Sequence, residues 1–164
     1  MIKTITLALA LVLLFTFSTK GIDDIRLSFQ NASLNQENAI AFNELVKQST
    51  SLEKELKTTY LGASETLLAK FEKTPGGKLR LFKSGVTQIE NAIEANPLSV
   101  EMRLIRLMIQ KNAPPIVKYA DKIEKDKEFI LTNLHSTSND VKKFIKRVAN
   151  DTDIFTSEEL TKIK

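Results

Sequence analysis

From Ile22 onward, apolar residues recur three and four positions apart, and Gly and Pro gather at a few points, so the pattern predicts an all-α chain. A first short helix is expected over 22–32 on Ile22, Ile25 and Phe29. A second opens at an Asn35 N-cap and buries Ile40, Phe42, Leu45 and Val46. The third carries the stripe Leu52, Leu56, Tyr60, Ala63, Leu67 and Phe71, with Glu53 and Lys57 four apart on its wet face. After the break at "TPGG", 74–77, a fourth helix runs to about Asn96 on Phe82, Val86, Ile89 and Ile93, and Pro97 stops it.

A fifth helix is expected from Leu98 to Lys111, ended by "NAPP" at 112–115. The next runs from about Ile116 to Leu134 on Ile123, Phe129, Ile130 and Leu134, with a break near Tyr119. Another, near 140–149, carries Val141, Phe144, Ile145 and Val148. The last opens at Thr156, where Glu159 completes a capping box and Phe155 with Leu160 forms a hydrophobic staple; being short and terminal, it should fray.

The start of the chain reads differently. Residues 1–18, "MIKTITLALALVLLFTFS", place Lys3 before an uncharged apolar run from Ile5 to Phe17. That run is shorter than the roughly 20 residues of a membrane-spanning helix and ends in "TFS", which predicts an export signal cleaved near Ser18. The alternative is an uncleaved N-terminal anchor in the inner membrane. The expected division is a signal peptide, 1–18, and one helical domain, 19–164, either periplasmic or secreted.

Composition narrows the possibilities. The chain has no cysteine, which excludes a disulfide framework, a thiol nucleophile and cysteine-bound zinc. Its 24 basic and 20 acidic residues leave a bias too small to point to nucleic acid. The only histidine, His135, lies in "HSTSND" beside Ser136 and Asp140, the composition of a polar turn. "GGK" at 76–78 fails as a phosphate loop, because Glu72 stands where its leading glycine belongs and Leu79 replaces the hydroxyl residue. Neither a catalytic residue nor a cofactor or metal is predicted. Asn31-Ala32-Ser33 and Asn150-Asp151-Thr152 fit the glycosylation acceptor pattern.

Two features remain as candidate contact sites. At 100° per residue, the apolar residues of the fifth helix occupy most of its circumference, and Arg103, Arg106 and Gln110 share the narrow remaining strip. A guanidinium there needs a carboxylate. It is supplied either by a neighbouring helix, Asp121 or Asp126 first, or by a ligand such as a peptide C-terminus or an acidic side chain. The second feature is "KFEKTPGGKLRLFK", 70–83, which gathers Lys70, Lys73, Lys78, Arg80 and Lys83 against Glu72 alone. This is either a solvated turn or a surface for anionic lipid headgroups or an acidic partner.

The spacing of Gly85, Ile89, Ala92 and Pro97 resembles the second helix of a tetratricopeptide repeat, and Leu61-Gly62 resembles the Leu-Gly pair of the first. The resemblance implies antiparallel helix pairs in a right-handed bundle or short superhelix, with small residues where the helices touch. Thr58 and Glu65 stand where the repeat has aromatic residues, the turn is about 11 residues longer, and the pattern does not recur 34 residues away. Residues 79–134 are also similar to a family of small, uncharacterised exported bacterial helical proteins, a likeness that carries no activity with it. Together these readings lead us to expect an exported, non-enzymatic binding or scaffold protein of the cell envelope with a protein or peptide partner. The alternatives are an enzyme with dispersed site residues and a protein docked on a membrane surface.

Overall fold

The computed structural model describes residues 21–163. The expected export signal and its cleavage point lie outside these residues. Eight α-helices and one 3-10 turn follow in order: α1 (Ile22–Asn31), α2 (Gln36–Gln48), α3 (Lys54–Phe71), α4 (Pro75–Ala95), α5 (Val100–Asn112), the 3-10 turn (Pro115–Val117), α6 (Ile123–Asn133), α7 (Asn139–Asp151) and α8 (Ser157–Ile163). The described chain is all-α, as its periodicity predicts. None of these helices is long and apolar enough to cross a membrane.

The caps follow from local chemistry. The Asn35 side chain accepts the Asn38 N–H at 2.8 Å, Thr74 Oγ1 accepts the Gly77 N–H at 3.1 Å, and Ser99 Oγ accepts the Met102 N–H at 3.3 Å. At α8 the capping box forms in both directions: the Thr156 N–H donates to Glu159 Oε2 at 2.7 Å and the Glu159 N–H to Thr156 Oγ1 at 3.3 Å. This last helix is also tied down along its length, since Lys127 pairs with Glu159 at 2.9 Å and Ile163 is buried.

Four details differ from the sequence reading. Pro75 and the two glycines after it form the first turn of α4 instead of a linker, because proline at the start of a helix forfeits only an N–H that has no helical partner. The break expected near Tyr119 is present, with Lys118 in a left-handed backbone (φ 50°), but the residues before it make only one 3-10 turn and α6 starts at Ile123. Ile40 faces outward on α2, half exposed. Lys57 does not pair with Glu53: its ammonium caps the end of α2, donating to the carbonyls of Lys47 at 2.9 Å and Ser49 at 2.6 Å.

α3 and α4 form the most intimate pair, and glycine is the reason. A Cβ on Gly62 would lie 2.5 Å from the Gly85 carbonyl oxygen, and one on Gly85 would run into the Gly62 carbonyl and Thr66. The two backbones touch where other residues would hold them apart. α3 also packs against α2 and α5, so it buries Thr59, Ser64 and Thr66 as well as its apolar residues. Each hydroxyl bonds back to a carbonyl three or four residues earlier, and Ser64 Oγ also accepts the Asn43 side-chain amide of α2 at 2.6 Å.

A continuous core reaches from Ile25 in α1 to Ile163 in α8. Phe29, Phe42 and Tyr60 stack tilted and edge-on at centroid distances of 5.6–6.1 Å, joining α1, α2 and α3. α5 runs through the middle with nine buried residues, Glu101, Arg106 and Gln110 among them. Its charged members decide what lies around it.

Candidate functional site

Arg106 is 3% exposed and fully engaged. Its Nε and Nη2 donate to the two Asp126 oxygens at 2.7 and 2.6 Å, and its Nη1 donates to Glu90 Oε2 at 2.7 Å. Arg103 reaches the same carboxylate at 3.1 Å, gives two hydrogen bonds to the Pro97 carbonyl, and lies over the Phe129 ring at 4.0 Å. Of the two acids expected, Asp126 takes both arginines, while Asp121 is exposed. Gln110, the third member of the strip, is 2% exposed, and its amide has no hydrogen-bond partner among the described residues.

Glu90 extends the seam across α4. It accepts from Tyr119 Oη at 2.6 Å and Lys122 Nζ at 2.7 Å, which docks the segment between α5 and α6 onto α4. Burial pushes the Glu90 carboxyl up, but the Lys122 and Tyr119 hydrogen bonds and the Arg106 charge outweigh it and hold the carboxyl below its ordinary value. For Arg106 burial favours the neutral form, and the bonds and charge of Asp126 reverse this and raise its pKa. Burial, with Glu90 beside it, raises the Tyr119 hydroxyl.

A second buried cluster, with no local signature in the sequence, joins the other side of α5. Arg26 of α1 is 1% exposed and makes a two-pronged bond to Glu101, Nε to Oε1 at 2.8 Å and Nη2 to Oε2 at 2.7 Å. Its Nη1 donates to Asp23 at 3.0 Å, and Tyr60 Oη donates to Glu101 Oε1 at 2.7 Å. Here too burial works against the Arg26 charge, and Glu101 and Asp23 more than restore it. The Tyr60 hydroxyl is raised by burial and by the Glu101 charge. The only hint was positional: Arg26 lies four residues after Ile22 and three before Phe29, on the buried stripe, and Glu101 stands beside Val100 and Met102 in the first turn of the most buried helix. Removing one partner from a buried, hydrogen-bonded ion pair costs about 3–5 kcal/mol.

His135 is exposed, and among the described residues no nucleophilic arrangement forms around it. The Ser136 hydroxyl donates to the Asn133 carbonyl at 3.0 Å, and Asp140 faces Lys143 at 3.8 Å.

The open surface lies at the edge of the bundle. Between α1 and α2 runs a shallow groove of about 340 Å³ bordered by Asp24, Leu27, Ser28, Asn38, Ala41 and Leu45. A second hollow beside it shares Ala41 and adds Ile40 and Glu37. Leu27 and Ile40 are each about half exposed (50% and 48%), so the groove has an apolar floor with acids at its margins. Neither Asp24 nor Glu37 has an ion-pair partner among the described residues.

Scans against protein-family models, curated proteins and solved structures found no match to this chain.

Proposed function

We propose that this chain is an exported, non-enzymatic binding or scaffold protein of the cell envelope, and that it holds a protein or peptide segment in the α1–α2 groove. The observation that carries the reading is the pairing of half-exposed Leu27 and Ile40 with Asp24 and Glu37 at the groove margin, on helices fixed to the core. These acids form no ion pair among the described residues, although Asp24 accepts the Gly21 N–H at 2.9 Å. Arg26 pins α1 to α5 through Glu101, and the Phe29–Phe42–Tyr60 rings pin α2, so both walls of the groove are anchored to the core.

The fitting occupant is an amphipathic segment that lays two or three apolar side chains on Leu27, Ile40 and Leu45 and points Lys or Arg at Asp24 and Glu37. The apolar run at the start of the chain supports the envelope location. The arginine strip is the weaker candidate contact, because the donors of Arg103 and Arg106 are occupied by Asp126, Glu90 and the Pro97 carbonyl.

A random-peptide display selection on the chain from residue 19 tests this. The described residues bury their own core, and circular dichroism checks its fold. Selected peptides should share apolar residues three or four apart flanked by Lys or Arg, and their binding should fall at least tenfold on Leu27→Glu/Ile40→Glu. Peptides that bind this folded double variant as well as the parent would refute the groove.

A further inference from the structure

A separate surface, at the end of the bundle where α1 and α3 finish and α4 begins, carries an inference that does not depend on the groove. Lys70, Lys73, Lys78, Arg80 and Lys83 are all exposed there. Among the described residues, none of the five forms an ion pair. Lys70 is held in place by donating to the Ser33 carbonyl at 2.8 Å and lying 5.6 Å from the Phe71 ring centre. Among the described residues the other four side chains make no hydrogen bond. The one acid of the stretch is turned to local work: Glu72 Oε1 accepts the N–H and hydroxyl of Thr74 at 3.1 and 3.2 Å, fastening the turn before α4.

The Lys70 bond to Ser33 also brings the α1–α2 turn to this end, and with it Leu34, which is 70% exposed. Leu79 stands between Lys78 and Arg80 at 44% exposure. Two outward leucines among five cations differ from a merely solvated turn, where long charged chains would suffice. They also differ from a surface built only for a soluble polyanion, which would gain nothing from aliphatic side chains.

We propose that this end of the molecule docks on an anionic phospholipid surface, with the cations meeting headgroups and Leu34 and Leu79 entering the boundary of the acyl region. Each Lys or Arg held near such a surface contributes about fivefold in partitioning, and shallow burial of the leucines adds a part that salt does not screen. No helix has to cross the bilayer.

The test is co-sedimentation of the chain from residue 19 with vesicles of phosphatidylcholine alone and with a quarter phosphatidylglycerol. Binding is expected to the anionic vesicles only and to weaken steeply with salt. Lys73→Gln/Lys78→Gln/Lys83→Gln should lower it on the order of a hundredfold. These three side chains make no contact that holds the fold, so circular dichroism should be unchanged. Leu34→Ser/Leu79→Ser should lower the binding that survives at high salt. No binding to either vesicle, equal binding to both, or indifference to the lysine changes would overturn the proposal. Equally tight binding to soluble polyglutamate that ignores the leucine changes would overturn it too, by making the partner an acidic polymer.

Discussion

Glu101 accepts three hydrogen bonds from two residues, Arg26 and Tyr60, that approach from different helices. Tyr119 gives its hydroxyl to Glu90 in the same manner. Tyr60 is buried and Tyr119 half-buried, each against a carboxylate, so the folded state favours the neutral phenol and raises its pKa. The stability this gives is complete below the ordinary tyrosine value of about 10 and is lost as pH rises above it. The chain has two tyrosines and no tryptophan, so phenolate absorbance reports these two sites alone. Both should resist ionisation past pH 10 and then ionise together with loss of helical circular dichroism; ionisation of a fully helical chain near pH 10 would contradict the burial described. At this scale the sequence was legible where spacing is local. Arg103, Arg106 and Asp126 stood out because the two arginines are three residues apart on one strip of α5 and a short connection leads to the helix that carries the aspartate. Arg26 and Glu101, 75 residues apart, carry no such spacing, and only their places on apolar stripes hinted that both are buried.

Between elements, the contact of α3 with α4 rests on Gly62 and Gly85. Their mutual approach leaves no room for a methyl group, and the obstacle in each direction includes a backbone carbonyl that cannot swing aside. Gly85→Ala is expected to destabilise the fold by about 1–3 kcal/mol. Gly76→Ala, in the exposed first turn of α4 with nothing within 4 Å of the added carbon, should leave stability unchanged or raise it by about 0.5–1 kcal/mol. Urea unfolding of the two variants checks this, and equal effects would show that the helices do not touch there. The caps at Asn35 and Thr156 and the helix stop before Pro97 were readable because each depends on a few neighbouring residues. The break near Tyr119 was readable and falls at Lys118, but the start of α6 was not, since the helical period of Ile123 through Leu134 continues backward to Ile116. The outward face of Ile40 was equally hidden: on α2 the core is reached by Phe42, Asn43 and Val46, a direction set by the packing of α1 and α3.

Across the whole molecule, buried charge and exposed apolar surface are divided between the middle and the edge. α5 is fixed on both sides by two-pronged ion pairs, through Glu101 to α1 and through Arg106 to α6, while α2 packs mainly against α1 and α3 and turns Ile40 to solvent. This division makes the edge groove the proposed point of contact and the arginine strip part of the frame. Amide hydrogen exchange separates these roles directly, measured on the chain from residue 19 with and without a peptide from the display selection. The account predicts slowed exchange confined to residues 22–48, with α5 and α6 unchanged. Slowing centred on residues 100–133, around Arg103 and Arg106, would contradict it and return the binding site to the arginine strip.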